Sequence, residues 1–255
     1  MAKAGSAKTP VTQSGTSDAL SGADSGPRTL AIDIGGSHIK AALLDGAGTF
    51  LGERARVETP AESPPDEVVE VIARLVESLG PFDRAAAGFP GFVRDGVVLT
   101  APNLPHEGWA GFNLAGALSA RLGKSCRVLN DADMQGLAAM RGHGLEMVIT
   151  LGTGFGTSMY LNGRLLPHLE ISHLQFRKGQ TFDEQLGNAG RKRAGTKKWN
   201  KRVRKAILTM RALTHFDHLY IGGGNAKRLT LTLDPDITIV SNEDGIEGGV
   251  AAWRE

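Results

Sequence analysis

The sequence predicts an α/β protein of two lobes with a cleft between them. Three observations carry this. Each half of the chain opens with an apolar strand that runs into a glycine turn and returns as further strands. Each such meander is followed by helical periodicity and then by another apolar strand. The first 27 residues stand apart, being rich in Ala, Gly, Ser and Thr with almost no large apolar side chain.

That leader cannot bury enough surface to offset the entropy of ordering it, so residues 1–27 are expected to be a disordered tail. It has no apolar core of a secretory signal. From residue 29 an apolar strand reaches Gly35-Gly36. A second strand is expected at 41–45 and, after Gly46-Ala47-Gly48, a third at 49–57. Pro64-Pro65-Asp66 opens a helix in which Val68, Val69, Ile72, Leu75, Val76 and Leu79 recur at helical spacing, closed by Gly80-Pro81. Residues 85–89 return as a buried strand entering Pro90-Gly91.

The second half repeats the plan. A strand at 147–151 runs into Gly152-Thr153-Gly154-Phe155-Gly156, continues at 157–161, turns at Asn162-Gly163 and returns at 164–166. A long helix is expected at about 196–214, then a strand ending at Gly222-Gly223-Gly224. The expected first lobe is residues 28–131, rejoined by a C-terminal helix at 244–255; the second is 132–243.

Composition removes several classes. The 255 residues carry a net charge of +2, which excludes a global basic field for duplex DNA. Cys126 is the only cysteine, so one chain builds neither a disulfide framework nor a multi-cysteine zinc site. No apolar run reaches the ~18 residues of a membrane span.

Glycines at strand ends let an anion approach the backbone where a Cβ would block it, and consecutive N–H groups in a tight turn form an anion nest. Three turns offer this: Gly35-Gly36, Gly152 to Gly156 and Gly222 to Gly224. Each alone is weak, and there is neither a Walker A sequence nor a complete dinucleotide fingerprint. Asn130-Asp131 follows the strand at 126–129. Asp131 reads equally as a general base or as part of a helix N-cap. Glu170 and His173 lie three apart and suit a polyol, against the plainer reading of two loop residues. Asn103, framed by Pro102 and Pro105, is more often a turn residue than a ligand.

Taken together, these motifs resemble the ROK sugar kinases of the actin-like ATPase superfamily, whose fold is two-lobed and ribonuclease H-like. Asp33-Ile34-Gly35-Gly36-Ser37-His38-Ile39-Lys40 resembles their first phosphate motif. Gly88-Phe89-Pro90-Gly91, Asn103, Asn130-Asp131-Ala132, the Gly152 to Gly156 turn, Glu170-Ile171-Ser172-His173 and Ile221-Gly222-Gly223-Gly224 follow in the family's order. Lys198-Trp199-Asn200-Lys201-Arg202-Val203 is similar to a helix of the branch that uses polyphosphate to phosphorylate glucose or mannose.

The resemblance implies roles. Asp131 would be the base at the sugar 6-hydroxyl; Asn103, Asn130, Glu170 and His173 would be sugar ligands. Gly35, Gly36, Ser37, Lys40, Thr153, Gly154 and Gly223 would hold phosphates. Asp33 would organise Mg²⁺, through water. Glucose is the expected acceptor, with mannose a further one, and inorganic polyphosphate or ATP the donor. A cytoplasmic homodimer is implied, with no membrane or nucleic-acid partner. Two departures stand out. The family's cysteine-rich zinc motif is missing after the Glu-x-Gly-His segment, so no structural zinc is expected. Ser172 replaces the usual glycine there, and would strain the loop if that position required positive φ. Pro167-His168-Leu169 also departs from the branch's letters. Alternatives are a strictly ATP-dependent hexokinase and a sugar-binding protein without catalysis. The family's repressors carry a helix-turn-helix module, and residues 1–27 contain no amphipathic helix to form one.

From residue 191 to 205 nine of fifteen residues are basic and none is acidic. Lys197, Lys201 and Lys205 recur every four residues and would form one helical stripe. Such a stripe fits inorganic polyphosphate; a solvated helix face and nucleic-acid binding are the alternatives, the last with only Trp199 as an interleaved aromatic.

Overall fold

The computed structural model describes residues 26–240 and 244–254. The tail expected at 1–27 falls almost wholly outside the described residues.

The first sheet contains β1 (Thr29–Ile34), β2 (His38–Leu44), β3 (Ala55–Glu58), β4 (Arg84–Phe89) and β7 (Cys126–Asn130) in the order β3-β2-β1-β4-β7. A small hairpin, β5 (Val93–Arg94) and β6 (Val97–Val98), precedes β7. β1, β2 and β3 form an antiparallel meander, whereas β4 and β7 add in parallel. The helices α1 (Pro65–Val76) and α2 (Leu114–Leu122) make the crossovers. Leu30, Ile32 and Ile34 of β1 are fully buried against Val68 and Ile72 of α1 and Leu114 and Leu118 of α2. Both faces of β1 are covered, which is why it reads as an unbroken apolar run rather than an alternation.

The second sheet repeats the first. β8 (Leu145–Leu151), β9 (Phe155–Leu161) and β10 (Arg164–Leu165) form the meander; β13 (His218–Gly222) and β14 (Ile237–Ile239) add in parallel, in the order β10-β9-β8-β13-β14. Between the meander and β13 lie a small hairpin, β11 (Gln175–Arg177) and β12 (Gln180–Thr181), two short helices, α4 (Phe182–Leu186) and α5 (Asn188–Ala194), and the long α6 (Thr196–Thr214). Trp199, Val203, Ala206, Ile207 and Met210 of α6 are buried against Ile149, Leu151, Leu219 and Ile221. Trp199 is fully buried and donates its indole N–H to the Leu186 carbonyl at 2.7 Å. Burying an aromatic of this size contributes roughly 2–3 kcal/mol, so this contact pins the basic helix firmly to the second sheet.

Two helices lie between the sheets. α3 (Asp131–Ala139) follows β7 directly and packs on β4, β8 and β9. α7 (Asp244–Ala251) packs on α3 and, through Ile246 and Val250, on Ala31, Ala42 and Leu44 of the first sheet. The approach is close: a Cβ on Gly249 would stand 2.7 Å from that of Ala31.

The third strand is shorter than the expected 49–57. Asp45 accepts the N–H groups of Ala47 at 2.9 Å and Thr49 at 2.8 Å, which holds the turn closed. Gly52 then takes a φ of +113°, and only from Ala55 does regular pairing with β2 resume. The first helix also stops at Val76, three residues short of Leu79. No helix among the described residues is long and apolar enough to cross a membrane.

Candidate active site

β7 ends at Asn130 because that side chain caps α3. Its Oδ1 accepts the N–H groups of Ala132 (2.8 Å) and Asp133 (3.3 Å), and its Nδ2 donates to the Gly91 carbonyl (3.0 Å). Asn130 is thus the N-cap, and Asp131 is the first helical residue. Its only hydrogen bond among the described residues is from the Ala132 N–H to Oδ1, at 2.8 Å. Asp131 opens onto a cavity of about 890 Å³ between the lobes. Protein walls surround the carboxylate even though solvent reaches it. That partial desolvation, with Asp33, Asp133 and Glu170 nearby as further negative charge, pushes its pKa up to about 7.

Across the cavity a one-turn 3₁₀ segment, Ile171–His173, brings Glu170 and His173 to the same wall. Ser172 donates its hydroxyl to Glu170 Oε1. Its φ is not positive, so the strain expected of serine at this position is absent. His168 Nδ1 lies 2.9 Å from Asp133 Oδ1, and its Nε2 lies 3.6 Å from Glu170 Oε2. Burial alone disfavours the charged ring, but the hydrogen bond to Asp133 and the nearby negative charge of Glu170 outweigh it and raise the His168 pKa to about 9. Burial pulls the other way on Asp133, towards the neutral acid. A protonated ring bonds Asp133 and sets its charge 3.6 Å from Glu170, so we take the cluster as ionic. The same contact with His168 holds Glu170 below the usual carboxylate range.

The three glycine turns all reach this cavity through Gly35, Gly36, Gly152, Thr153, Gly154 and Gly223. At most of these glycines protein packing alone already excludes a side chain. A Cβ would stand 2.9 Å from the His38 carbonyl oxygen at Gly35 and 2.8 Å from that of Asn103 at Gly36. At Gly154 it would strike Asp183, whose Oδ1 accepts the Phe155 N–H at 2.8 Å. Gly223 has a φ of +88° and lies against the Leu151 backbone. These four are required by protein packing. Gly152, by contrast with these four, has no protein atom within 4 Å of the missing Cβ, and it faces the open cleft.

Asn103, Ser37 and Lys40 also line the cavity. Asp33 sits there with its Oδ2 2.9 Å from Lys40 Nζ. Among the described residues no cluster of three or more carboxylate, imidazole or thiol groups could cage a metal. Asp33, whose carboxylate lines the cleft with Oδ2 held by Lys40, suits Mg²⁺ bound through water, since that ion keeps several waters and shares phosphate oxygens.

The basic stripe lies elsewhere. Lys201 and Lys205, with Arg177, Lys198 and Arg202, line a separate cavity of about 270 Å³ that shares no residue with the cleft; Lys197 does not line it. The three lysines expected to act together are therefore divided, because the pocket forms on the side of α6 that faces β11.

Several cleft residues escape sequence reasoning. The Asp133–His168 contact spans 35 positions, and only their placement beside Asp131 and Glu170 hints at it. Asp183 belongs to a segment without periodicity. Arg54 and Arg56 line the cleft and carry an alternation readable as a strand face.

A model of the ROK family matches residues 29–192. A polyphosphate glucokinase of Mycobacterium tuberculosis (strain ATCC 25618 / H37Rv) is 34% identical over 206 residues, covering 77% of each chain. The inorganic polyphosphate/ATP-glucomannokinase of Arthrobacter sp. strain KM superposes with a TM-score of 0.78 at 32% identity, over 89% of this chain and 97% of that one. A ROK family glucokinase of Streptomyces griseus, solved with glucose and AMPPNP, superposes with a TM-score of 0.70 at 20% identity, over 88% and 97%. The duplicated sheets are those of the actin-like ATPase fold, as the sequence motifs implied.

Proposed function

The chain belongs to the ROK family, and from that premise we propose that it transfers a phosphoryl group to the 6-hydroxyl of glucose. Inorganic polyphosphate is the proposed donor, with ATP a second. The observation that carries this is the position of Asp131. A carboxylate poised near neutrality opens onto one cavity with glycine turns from both lobes and with Glu170 and His173.

In the proposed reaction Asp131 accepts the proton of the 6-hydroxyl as its oxygen attacks the terminal phosphorus of the donor. The phosphoanhydride bond breaks and the shortened chain, or ADP, leaves with the electron pair. A base with a pKa near the working pH is both ionised enough to accept the proton and able to release it again. Phosphoryl transfer asks little covalent chemistry of a protein; it needs alignment and neutralised charge. Glu170 and His173 are proposed to hold the sugar with Asn103. Asn130, its side chain engaged by α3 and Gly91, contributes mainly by fixing where Asp131 points. Mg²⁺, held through water by Asp33, would neutralise the phosphate oxygens. Lys201 and Lys205 are proposed to meet the distant part of a long polyphosphate chain.

Support for the polyphosphate donor comes from the M. tuberculosis and Arthrobacter relatives, whose names carry it. The test is a coupled assay for glucose 6-phosphate with polyphosphate and with ATP. Product is expected with polyphosphate. Protein that binds glucose yet forms no product with either donor would remove the kinase reading.

A further inference from the structure

The face of the first sheet that α7 covers is only half apolar. Ala31, Ala42, Leu44 and Phe50 lie under α7. By the alternation of strands, the same face continues to Asp33 on β1 and to Lys40 and His38 on β2. On β3, Arg56 stands opposite Lys40 in register, and Arg54, two residues earlier, places its guanidinium 4.1 Å over the Phe50 ring. Ile246 of α7 lines the cleft beside this end. Asp33, His38, Lys40, Arg54 and Arg56 all line the cleft that holds Asp131. Glu58, opposite His38, is the acid at the far end and does not line the cavity.

We infer that Lys40, Arg54 and Arg56 form a donor subsite, a cationic strip that grips the phosphoanhydride chain behind the phosphoryl group being transferred. This rests on the phosphoryl-transfer reading of the cleft and extends it. Three arguments support the strip. Its cations share a wall with the Gly35-Gly36 turn, so an anion held by that turn lies within their field. Lys40 and Arg56 are cross-strand partners in register and Arg54 lies two residues before Arg56, so the three cations are neighbours at the β2–β3 side of the cleft. Neighbouring cations on one cavity suit linked phosphates, and guanidinium groups match the paired oxygens of a phosphate. By contrast, the α6 pocket shares no residue with the cleft, so it can touch only the remote part of a long donor. The strip is therefore needed by short donors and the α6 pocket only by long ones.

The shared chemistry is a chain of linked phosphates, supplied either by inorganic polyphosphate or by a nucleotide. Binding of sodium tripolyphosphate and of ATP is measured by calorimetry, without sugar, on wild type and on Arg54→Gln/Arg56→Gln. Removing two guanidinium–phosphate hydrogen bonds should weaken tripolyphosphate binding by about tenfold or more. The Arg54→Lys/Arg56→Lys variant should recover much of it, and glucose binding should not change in either. A loss confined to tripolyphosphate assigns the strip to the inorganic donor; a loss with ATP as well assigns it to both. Tripolyphosphate binding within about twofold of wild type in a variant that melts normally overturns the proposal. Because no turnover is required, a wild type unable to phosphorylate glucose would sink the kinase reading while leaving this result interpretable.

Discussion

His168 bridges two carboxylates of different elements: its Nδ1 is 2.9 Å from Asp133 Oδ1 on α3, and its Nε2 faces Glu170 Oε2 at 3.6 Å. The ring is 5% exposed and packs edge-on against Phe92 at 5.1 Å. It thus couples the helix that begins with Asp131 to the wall that carries Glu170.

Removing that bridge leaves two carboxylates facing each other with no positive group between them. Breaking a buried pair costs ~3–5 kcal/mol, so His168→Ala should lower stability by about that amount. In His168→Gln, where the fold is better preserved, Glu170 loses its partner; KM for glucose should rise severalfold while kcat changes less. An unchanged glucose KM would show that Glu170 keeps its place unaided. The wild type should also show a pH signature. The His168 pKa is raised to about 9 from an unfolded value near 6.5, so its contribution is complete below 6.5 and is lost as pH rises through 9. The melting temperature should fall across that window, and fall less in His168→Gln.

Asp131 shows a linkage of the same sign through a different charge state: here the form that the fold disfavours is the ionised one. Its folded pKa of about 7 exceeds the unfolded value near 4, so ionising it works against folding as pH rises from 4 to 7. Asp131→Asn should therefore melt higher than wild type at pH 8 and no higher at pH 4. The same change should lower kcat by roughly 10²–10⁴-fold with glucose binding retained. Wild-type kcat/KM should climb with pH through about 7, the pKa given by its burial. A kcat near wild type in Asp131→Asn would take this carboxylate out of the mechanism.

The elements legible in the sequence are those that announce themselves locally. β1 and β8 are apolar runs ending in glycine, and α6 carries a long 3.6-residue period that ends at Thr214, where His215 adopts a φ of +49°. β3 is shorter than its hydropathy suggests because an Asp45 turn and a positive-φ Gly52 are side-chain and backbone details that hydropathy does not register. In the site, residue type and spacing single out Asp131, Glu170 and His173. His168 stands out only as an unusual letter, since its partner lies 35 positions away. Arg54 and Arg56 are not singled out by residue type or spacing; only the sheet register, which sets Arg56 opposite Lys40, and the shape of the cleft bring them to the site.

The α6 pocket makes a prediction about chain length. Lys201 and Lys205 line a cavity separate from the cleft. Lys201→Gln/Lys205→Gln should raise KM for long-chain polyphosphate and leave tripolyphosphate and ATP unaffected. Lys197→Gln, which removes a lysine outside that lining, should do less. Equal loss with every donor would mean the pair acts on the fold rather than on the chain. Higher salt should narrow the difference between the long and short donors, because exposed charges more than ~10 Å apart are screened at 0.1 M.

Two glycines of the cleft should respond oppositely to the same substitution. A Cβ on Gly36 would stand 2.8 Å from the Asn103 carbonyl oxygen and 3.4 Å from its Cβ, so Gly36→Ala must push the Asn103 loop away. Forced displacement of this kind costs ~1–3 kcal/mol. Because that loop lines the sugar's proposed site, the variant should lose stability and glucose affinity together. At Gly152 the added methyl would meet no protein atom within 4 Å and would project into the cleft. Gly152→Ala should melt near wild type yet bind both polyphosphate and ATP more weakly, with glucose affinity retained. Were the methyl at 152 to leave donor affinity intact, the β8–β9 turn would not be where the phosphates approach the backbone.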